Sequence, residues 1–206
     1  MAQTLTTTSY AILGQLALRS WTMYELAAET RRNFHYFWPR AESGIYAEAK
    51  RLAARGLATG ERTLIGKRPR TTYSITIAGR AALDAWLATP IKPHAMEFEA
   101  LVRVFFAPLG TYDEFEAVLR QAENDAQELL DLAVRIRAEY LQSRAPFQEQ
   151  MHIRVFVYDF LLNYARTVHD WAVRTQVETA NWDDLSLEGK QERALRIFRE
   201  SMSMDA

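Results

Sequence analysis

The chain contains no cysteine. That absence removes disulfides, thiolate metal sites and cysteine nucleophiles, and it fits a reducing compartment. Glycine and proline are scarce, 8 and 6 in 206 residues, which is too few for long disordered tracts. No apolar run reaches the roughly 20 residues that span a bilayer, and no early stretch resembles the apolar core of a signal peptide. A cytoplasmic protein with no membrane partner is expected. The signatures of common chemistries are missing too: there is no G-x-x-x-x-G-K-[ST] loop, G-x-G-x-x-G turn or G-x-S-x-G elbow. His35, His94, His152 and His169 are scattered without a His-x-x-x-His spacing, so no metal site is expected. Nothing recommends an enzyme, a cofactor or a catalytic residue.

What remains is a folded, charge-segregated chain. A hydrophobic content of 49% suits one large domain or two modest ones. Residues 1–90 hold 12 Lys and Arg against 6 Asp and Glu, whereas residues 91–206 hold 13 against 20. A basic first part beside an acidic second part suggests that one piece meets an anion and the other does not. Chance segregation of solvated charges gives the same counts.

In the first ninety residues Thr8-Ser9 precede YAILGQLAL, whose Tyr10, Leu13, Leu16 and Ala17 recur at helical spacing. Thr22 and Glu25 then have capping-box spacing, so a second helix is expected from Met23 with Leu26 and Ala27 inward. Pro39 is expected to help start a third helix, running to about Arg55 and stopping at Gly56. Phe34, Tyr36, Phe37 and Trp38 crowd the corner before it. They read as packing that binds the second helix to the third, with ligand contact by Trp38 as the alternative.

Ile45, Ala49 and Leu52 share one face of the third helix. The opposite face carries Arg40, Ser43, Ala47, Lys50 and Ala54, flanked by Arg51 and Tyr46. Small side chains allow close approach to a DNA major groove, and Arg and Lys donate to guanine edges or phosphates. An ordinary amphipathic surface helix has the same pattern. The stretches LATGERT and TTYSIT read as two strands joined by LIGKRPR, whose Lys67, Arg68 and Arg70 have no acidic neighbour. Such a tip suits a phosphate backbone or a minor groove, although a plain solvated hairpin is the other reading. Thr76 is expected to cap a further helix, IAGRAALDAWLA, which ends before Pro90.

Three helices, a hairpin and another helix are the order of a winged helix-turn-helix. Over roughly residues 5–88 the chain resembles the PadR family of bacterial transcriptional regulators. The resemblance is carried by YAILGQLAL, Tyr24-Glu25-Leu26, Gly44-Ile45-Tyr46, Lys50-Arg51-Leu52, Gly56-Leu57 and TYSITIAGRAAL. It implies a dimer on double-stranded DNA, with the third helices in successive major grooves and the wings beside them. Tyr46 is carried over as a backbone contact, with Lys50 and the wing from Lys67 to Arg70 as further contacts.

From residue 91 the pattern is helical. HAMEFEALVRVFFAPLG is expected to bridge two domains, residues 1–90 and 91–206. Thr111 and Glu114 repeat the capping-box spacing. Phe115, Leu119, Ala122, Ala126, Leu129, Ala133, Ile136 and Tyr140 then form an uninterrupted coiled-coil seam, and its alanines imply the close approach of a partner helix. A second long helix from near Pro146 is apolar around most of its circumference, and dimerisation is the natural way to bury it. A last helix, about 186–201, is expected to turn Leu187, Ala194, Leu195 and Phe198 inward. The fold class is therefore mainly α with a small β-hairpin: a winged helix-turn-helix followed by an antiparallel helical dimerisation domain.

PadR-like proteins of this longer type have such a domain, and some release DNA on binding small, often aromatic, molecules. The candidate effector pocket comprises Trp38, Phe98, Phe105, Phe156, Tyr158 and Trp171, although aromatics at helical spacing also serve as core. The expected function is a homodimeric, sequence-specific DNA-binding repressor acting on an inverted repeat. The alternative is a protein-interaction module whose winged domain binds an acidic partner.

Overall fold

The computed structural model describes residues 4–65, 68–182 and 186–203. It divides into two compact units, Met1–His94 and Ala95–Ala206.

In the first unit, helix α1 (Thr7–Leu18) starts at Thr6, whose hydroxyl accepts from the Ser9 amide while the Thr6 amide donates to the Ser9 hydroxyl. Thr8 and Ser9 therefore lie inside the helix, not ahead of it. Strand β1 (Trp21–Thr22) leads directly into α2 (Met23–Phe34), where Thr22 and Glu25 close the expected capping box. Helix α3 (Glu42–Ala54) begins later than Pro39, because Ala41 is still extended at φ −63°, ψ 143°. It ends as expected at Gly56, whose φ of +70° is the left-handed conformation that glycine adopts without a Cβ clash.

Strands β2 (Ala58–Ile65) and β3 (Arg68–Ile75) pair in register from Ala58↔Ile75 to Ile65↔Arg68. The wing is longer than the sequence suggested, since Leu64, Ile65 and Arg68 to Arg70 join the ladder. Strand β1 adds a third member through Trp21↔Tyr73, in the order β1-β3-β2. A two-residue strand has no period to read, so sequence alone missed it. Thr76 caps α4 (Ile77–Leu87) by accepting from the Gly79 amide.

One core unites these elements. Ile12, Leu13 and Leu16 of α1 are buried, as are Leu26 and Ala27 of α2, Ile45, Ala49 and Leu52 of α3, Tyr73 of β3 and Leu83 of α4. The Trp21 indole is buried and donates to the Gln15 carbonyl at 2.7 Å, while Gln15 donates to Thr30 at 3.0 Å and ties α1 to α2. The expected aromatic corner packs only in part. Phe34 meets Phe37 edge-to-face at 5.7 Å, and Phe34 and Trp38 are half-buried, but Tyr36 and Phe37 remain exposed.

The second unit contains α5 (Glu99–Phe105), a 3-10 turn at Ala107–Leu109, α6 (Tyr112–Leu141), a 3-10 turn at Gln148–Gln150, α7 (Met151–Thr179) and α8 (Leu187–Ser203). Thr111 and Glu114 cap α6 as their spacing predicts. Along α6 the apolar seam is buried at Leu119, Ala122, Ala126, Leu129, Ile136 and Tyr140, and half-buried at Phe115 and Ala133. Its mate is α7 of the same chain. Gln176 donates to Glu123 at one end and Tyr140 meets Tyr158 at the other, so the two helices run antiparallel. The small residues Ala165 and Ala172 of α7 are buried too, which permits the close approach that the α6 alanines implied.

Helix α7 starts at Met151 rather than near Pro146, because the 3-10 turn intervenes. With one side on α6, it leaves Ile153, Val155, Phe156, Phe160 and Tyr164 exposed. In α8, Leu187, Leu195 and Phe198 are exposed and Ala194 is half-buried, contrary to the inward expectation. That helix is tied by ion pairs from Arg193 and Arg196 to Glu178. Among the described residues no helix is long and apolar enough to cross a membrane.

Candidate nucleic-acid interface

Helix α3 has two unlike faces. Ile45, Ala49 and Leu52 are sealed in the core, which turns Ser43, Ala47, Lys50 and Ala54 outward as an exposed strip. Tyr46 is half-buried on one flank of that strip. The surface is thin, with one flexible cation among small side chains, so a flat or grooved polyanion can approach the helix backbone closely.

Arg40 lies just ahead of the helix and is held by its neighbours. Its guanidinium sits 4.3 Å from the Trp38 ring centroid, its Nε donates to Thr8 Oγ1 at 3.3 Å, and Nη1 donates to the Pro39 carbonyl at 2.6 Å. Trp38 Nε1 donates to the same threonine hydroxyl at 3.3 Å. The tryptophan thus works as a platform that orders Arg40 at the entrance to α3.

Arg51 behaves differently. Its Nη2 lies 2.6 Å from Glu48 Oε2 and also donates to Ser9 Oγ at 3.3 Å, on the α1 side of the helix. Glu48, a buried carboxylate on the core face, does not stand out as a functional residue in the sequence. Its signal was present, an acidic residue three positions before Arg51 and between Ile45 and Leu52, but its Ser9 partner comes from α1 and only the fold supplies it.

On the wing, Arg70 is exposed and its Nη2 lies 3.4 Å from Glu25 Oε2. The Arg68 backbone pairs with Ile65 at the far end of the ladder, and Lys67 lies outside the described residues. Arg62, exposed on β2 opposite Thr71, adds a cation that sequence reading did not single out. Glu25 is the acidic anchor of this region. The Thr22 hydroxyl and then the Thr22 amide hold its carboxyl below the ordinary carboxylate range against an opposing effect of burial, with lesser help from the charges of Arg19 and Arg70.

The aromatic candidates for an effector pocket are spread over both units. Trp38 belongs to the first, stacked on Arg40 as described. In the second, Phe98 meets Trp171 edge-on at 6.0 Å and Tyr158 meets Tyr140 at 5.8 Å, whereas Phe105 and Phe156 are exposed. A shallow depression of about 370 Å³ in the first unit is lined by other residues, Ile75, Thr76, Ile77, Arg80, Ala81 and Asp84.

The chain is similar in sequence and fold to known proteins. The chain is 31% identical over 100 residues to the negative transcriptional regulator PadR of Bacillus subtilis, covering 47% of this chain and 54% of that one. It is 32% identical over 85 residues to a probable transcriptional regulator of Mycobacterium tuberculosis, covering 41% and 45%. The chain is PadR-like. Its matches span about half the length of these curated relatives, and no protein-family model matches it. In fold the likeness extends further. Bacillus subtilis PadR in complex with operator DNA superposes with a TM-score of 0.71 at 21% identity, over 84% of this chain and 98% of that one. The same regulator in complex with p-coumaric acid gives 0.63 at 19%, over 89% and 100%. The virulence activator AphA of Vibrio cholerae gives 0.66 at 22%, over 85% and 99%. The fold is shared with these structures, mainly helical with a small antiparallel sheet, and the curated relatives are described as transcriptional regulators.

Proposed function

We propose that the protein is a PadR-like transcriptional repressor that binds an imperfect inverted repeat as a homodimer. The observation that carries this reading is the exposed Ser43-Ala47-Lys50 strip of α3, backed by a sealed core face, with exposed Arg62 and Arg70 on the hairpin of the same unit. Lys50 reads base edges from the major groove, Ser43 and Ala47 permit close approach, and Arg40 and Tyr46 contact the backbone at either side. Lys67, Arg68 and Arg70 contribute mostly sequence-independent affinity from the wing. The relative solved with operator DNA supports the choice of partner.

Residues 1–90 carry DNA recognition and residues 91–206 carry pairing. The uncovered apolar side of α7, together with exposed Phe105, Phe106 and Leu109, supports a second copy as the cover. Two identical winged units at a fixed separation select half-sites about one helical turn, or a multiple, apart. A small aromatic molecule bound near Phe98 and Trp171 would act on that separation, a reading supported by the relative solved with p-coumaric acid.

Genomic DNA capture with purified protein, followed by footprinting, tests the reading. The expected result is a salt-dependent footprint with two symmetric halves and a preference over random DNA of at least about tenfold, a floor well below the roughly thousandfold or more of typical specific binding. Equal binding to all duplexes, or to none, would leave the winged domain as a module for an acidic protein.

A further inference from the structure

We propose that Glu48 is a positioning residue that, with Ser9, fixes α3 on α1 and withholds Arg51 from the DNA. The inference rests on the regulator reading above, but its geometry does not.

The carboxylate is almost enclosed: the Glu48 side chain is 10% exposed and Ser9 is fully buried. Ser9 Oγ donates to Glu48 Oε1 at 2.5 Å, while Ser9 itself is held by the Thr6 amide at 2.9 Å. Arg51 supplies the countercharge, with Nη2 at 2.8 Å from Oε1 and 2.6 Å from Oε2. A buried carboxylate without such partners would be strongly unfavourable, and removing one partner of an enclosed pair leaves the other uncompensated. The three groups therefore act as a unit. They link the N-cap of α1 to the middle of the recognition helix, on the side away from Lys50.

Two consequences follow for DNA binding. First, the angle of α3 on the scaffold is set by directional, charge-assisted bonds as well as by apolar packing, which has no preferred direction. Second, the face of α3 offers Lys50 as its helical cation, because the guanidinium three residues before Ala54 is committed inward. Keeping a second cation off the groove limits sequence-independent affinity and so raises discrimination.

The test combines arginine modification with DNA binding on the full-length protein. In the wild type, phenylglyoxal should modify Arg51 at least about tenfold more slowly than exposed Arg62, as hydrogen bonds to a charged partner of ordinary strength would give. Glu48→Gln keeps an acceptor for Ser9 but removes the charge that holds Arg51, and the protection should disappear. On operator DNA the same substitution should steepen the salt slope by about 0.9, as Arg51 finds a phosphate, and lower the preference over random duplex. Arg51→Met should leave the slope unchanged, and the double variant should return the slope to that of the wild type. An Arg51 as reactive as Arg62 in the wild type would overturn the proposal. So would an Arg51→Met slope shallower by about 0.9, since that would make Arg51 a phosphate contact. If the wild type prefers no duplex, the regulator reading fails while the modification pattern still decides the clamp.

Discussion

Arg70 of the wing lies 3.4 Å from Glu25 in the first turn of α2, although 45 positions separate them in the chain. Both side chains are more than a third exposed, so solvent and salt screen the pair and its direct worth to stability is small. Its effect is geometric. Glu25 is already fixed by Thr22, through the hydroxyl at 2.6 Å and the amide at 2.9 Å, and it gives the wing cation one preferred direction. A phosphate arriving at Arg70 must compete with that carboxylate.

The same carboxylate should make the winged unit sensitive to acid. Its folded pKa is depressed, first by the Thr22 hydroxyl, so its stabilising contribution is complete above the unfolded value and fades as pH falls through the folded one. Urea unfolding should therefore show Glu25→Gln less stable than wild type at pH 7. The gap should close as pH drops below about 4.3, the ordinary glutamate value. A constant gap from pH 7 to pH 3 would mean that the carboxylate charge contributes nothing. Thr22→Ala should cost about 1 kcal/mol at neutral pH through the lost cap.

On DNA, the two kinds of cation should separate. Arg70→Ala is expected to weaken operator and random duplex alike and to reduce the salt slope by about 0.9. Lys50→Ala is expected to weaken the operator more than random DNA, by about 1–3 kcal/mol if it reads a base edge. Fluorescence anisotropy at several salt concentrations measures both. Equal losses for Lys50→Ala on the two duplexes would move it from base reading to backbone contact.

The features behind these variants are largely legible in the sequence, and legibility ends where a partner comes from a distant element. The capping boxes at Thr22-Glu25 and Thr111-Glu114 were legible because their partners are three residues apart and their chemistry is local. The core face of α3 was legible because Ile45, Ala49 and Leu52 repeat at the helical period. The α6 seam was equally plain, but a seam does not say whose helix fills it, and α7 of the same chain does. How Arg51 is held was not legible for a similar reason: Ser9, which meets both Arg51 and Glu48, lies 42 positions from Arg51. The outward turn of Leu195 and Phe198 was hidden too, since an amphipathic stripe does not reveal whether its cover belongs to the chain or to a partner.

The uncovered face of α7 gives a direct test of pairing. Phe156 and Phe160 are 69% and 63% exposed in the single chain, and each would bury a large apolar area against a second copy. Burial of a phenylalanine is worth about 1.5–3 kcal/mol, so Phe156→Asp with Phe160→Asp should weaken self-association by at least tenfold. Sedimentation equilibrium at micromolar concentration should show dimers for the wild type and monomers for the variant. Helical circular dichroism should be unchanged, because neither ring belongs to the α6–α7 seam. A variant that stays dimeric would move the interface to α5 or α8.

Two glycines in helices should respond in opposite senses to the same substitution. In an exposed helix interior, Gly→Ala gains about 1 kcal/mol, because alanine loses less conformational freedom on folding. Gly14 of α1 has nothing within 4 Å of where a Cβ would stand, so Gly14→Ala should approach that gain. Gly79 of α4 is in another situation. A Cβ there would sit 1.9 Å from the Leu57 carbonyl oxygen and 3.0 Å from Ile75 Cγ1, at the point where α4 crosses the start of β2. That carbonyl cannot simply retreat, because it accepts the Thr76 amide at 3.2 Å, and Thr76 in turn caps α4 through the Gly79 amide. Moving it would strain the cap and the root of the wing together. Gly79→Ala should therefore lose about 1–3 kcal/mol in urea unfolding, the usual cost of overpacking, despite its better helix propensity. It should also weaken DNA binding through the displaced wing. A stabilised Gly79→Ala would mean that α4 stands further from β2 than this contact allows, and that the wing root is free to shift.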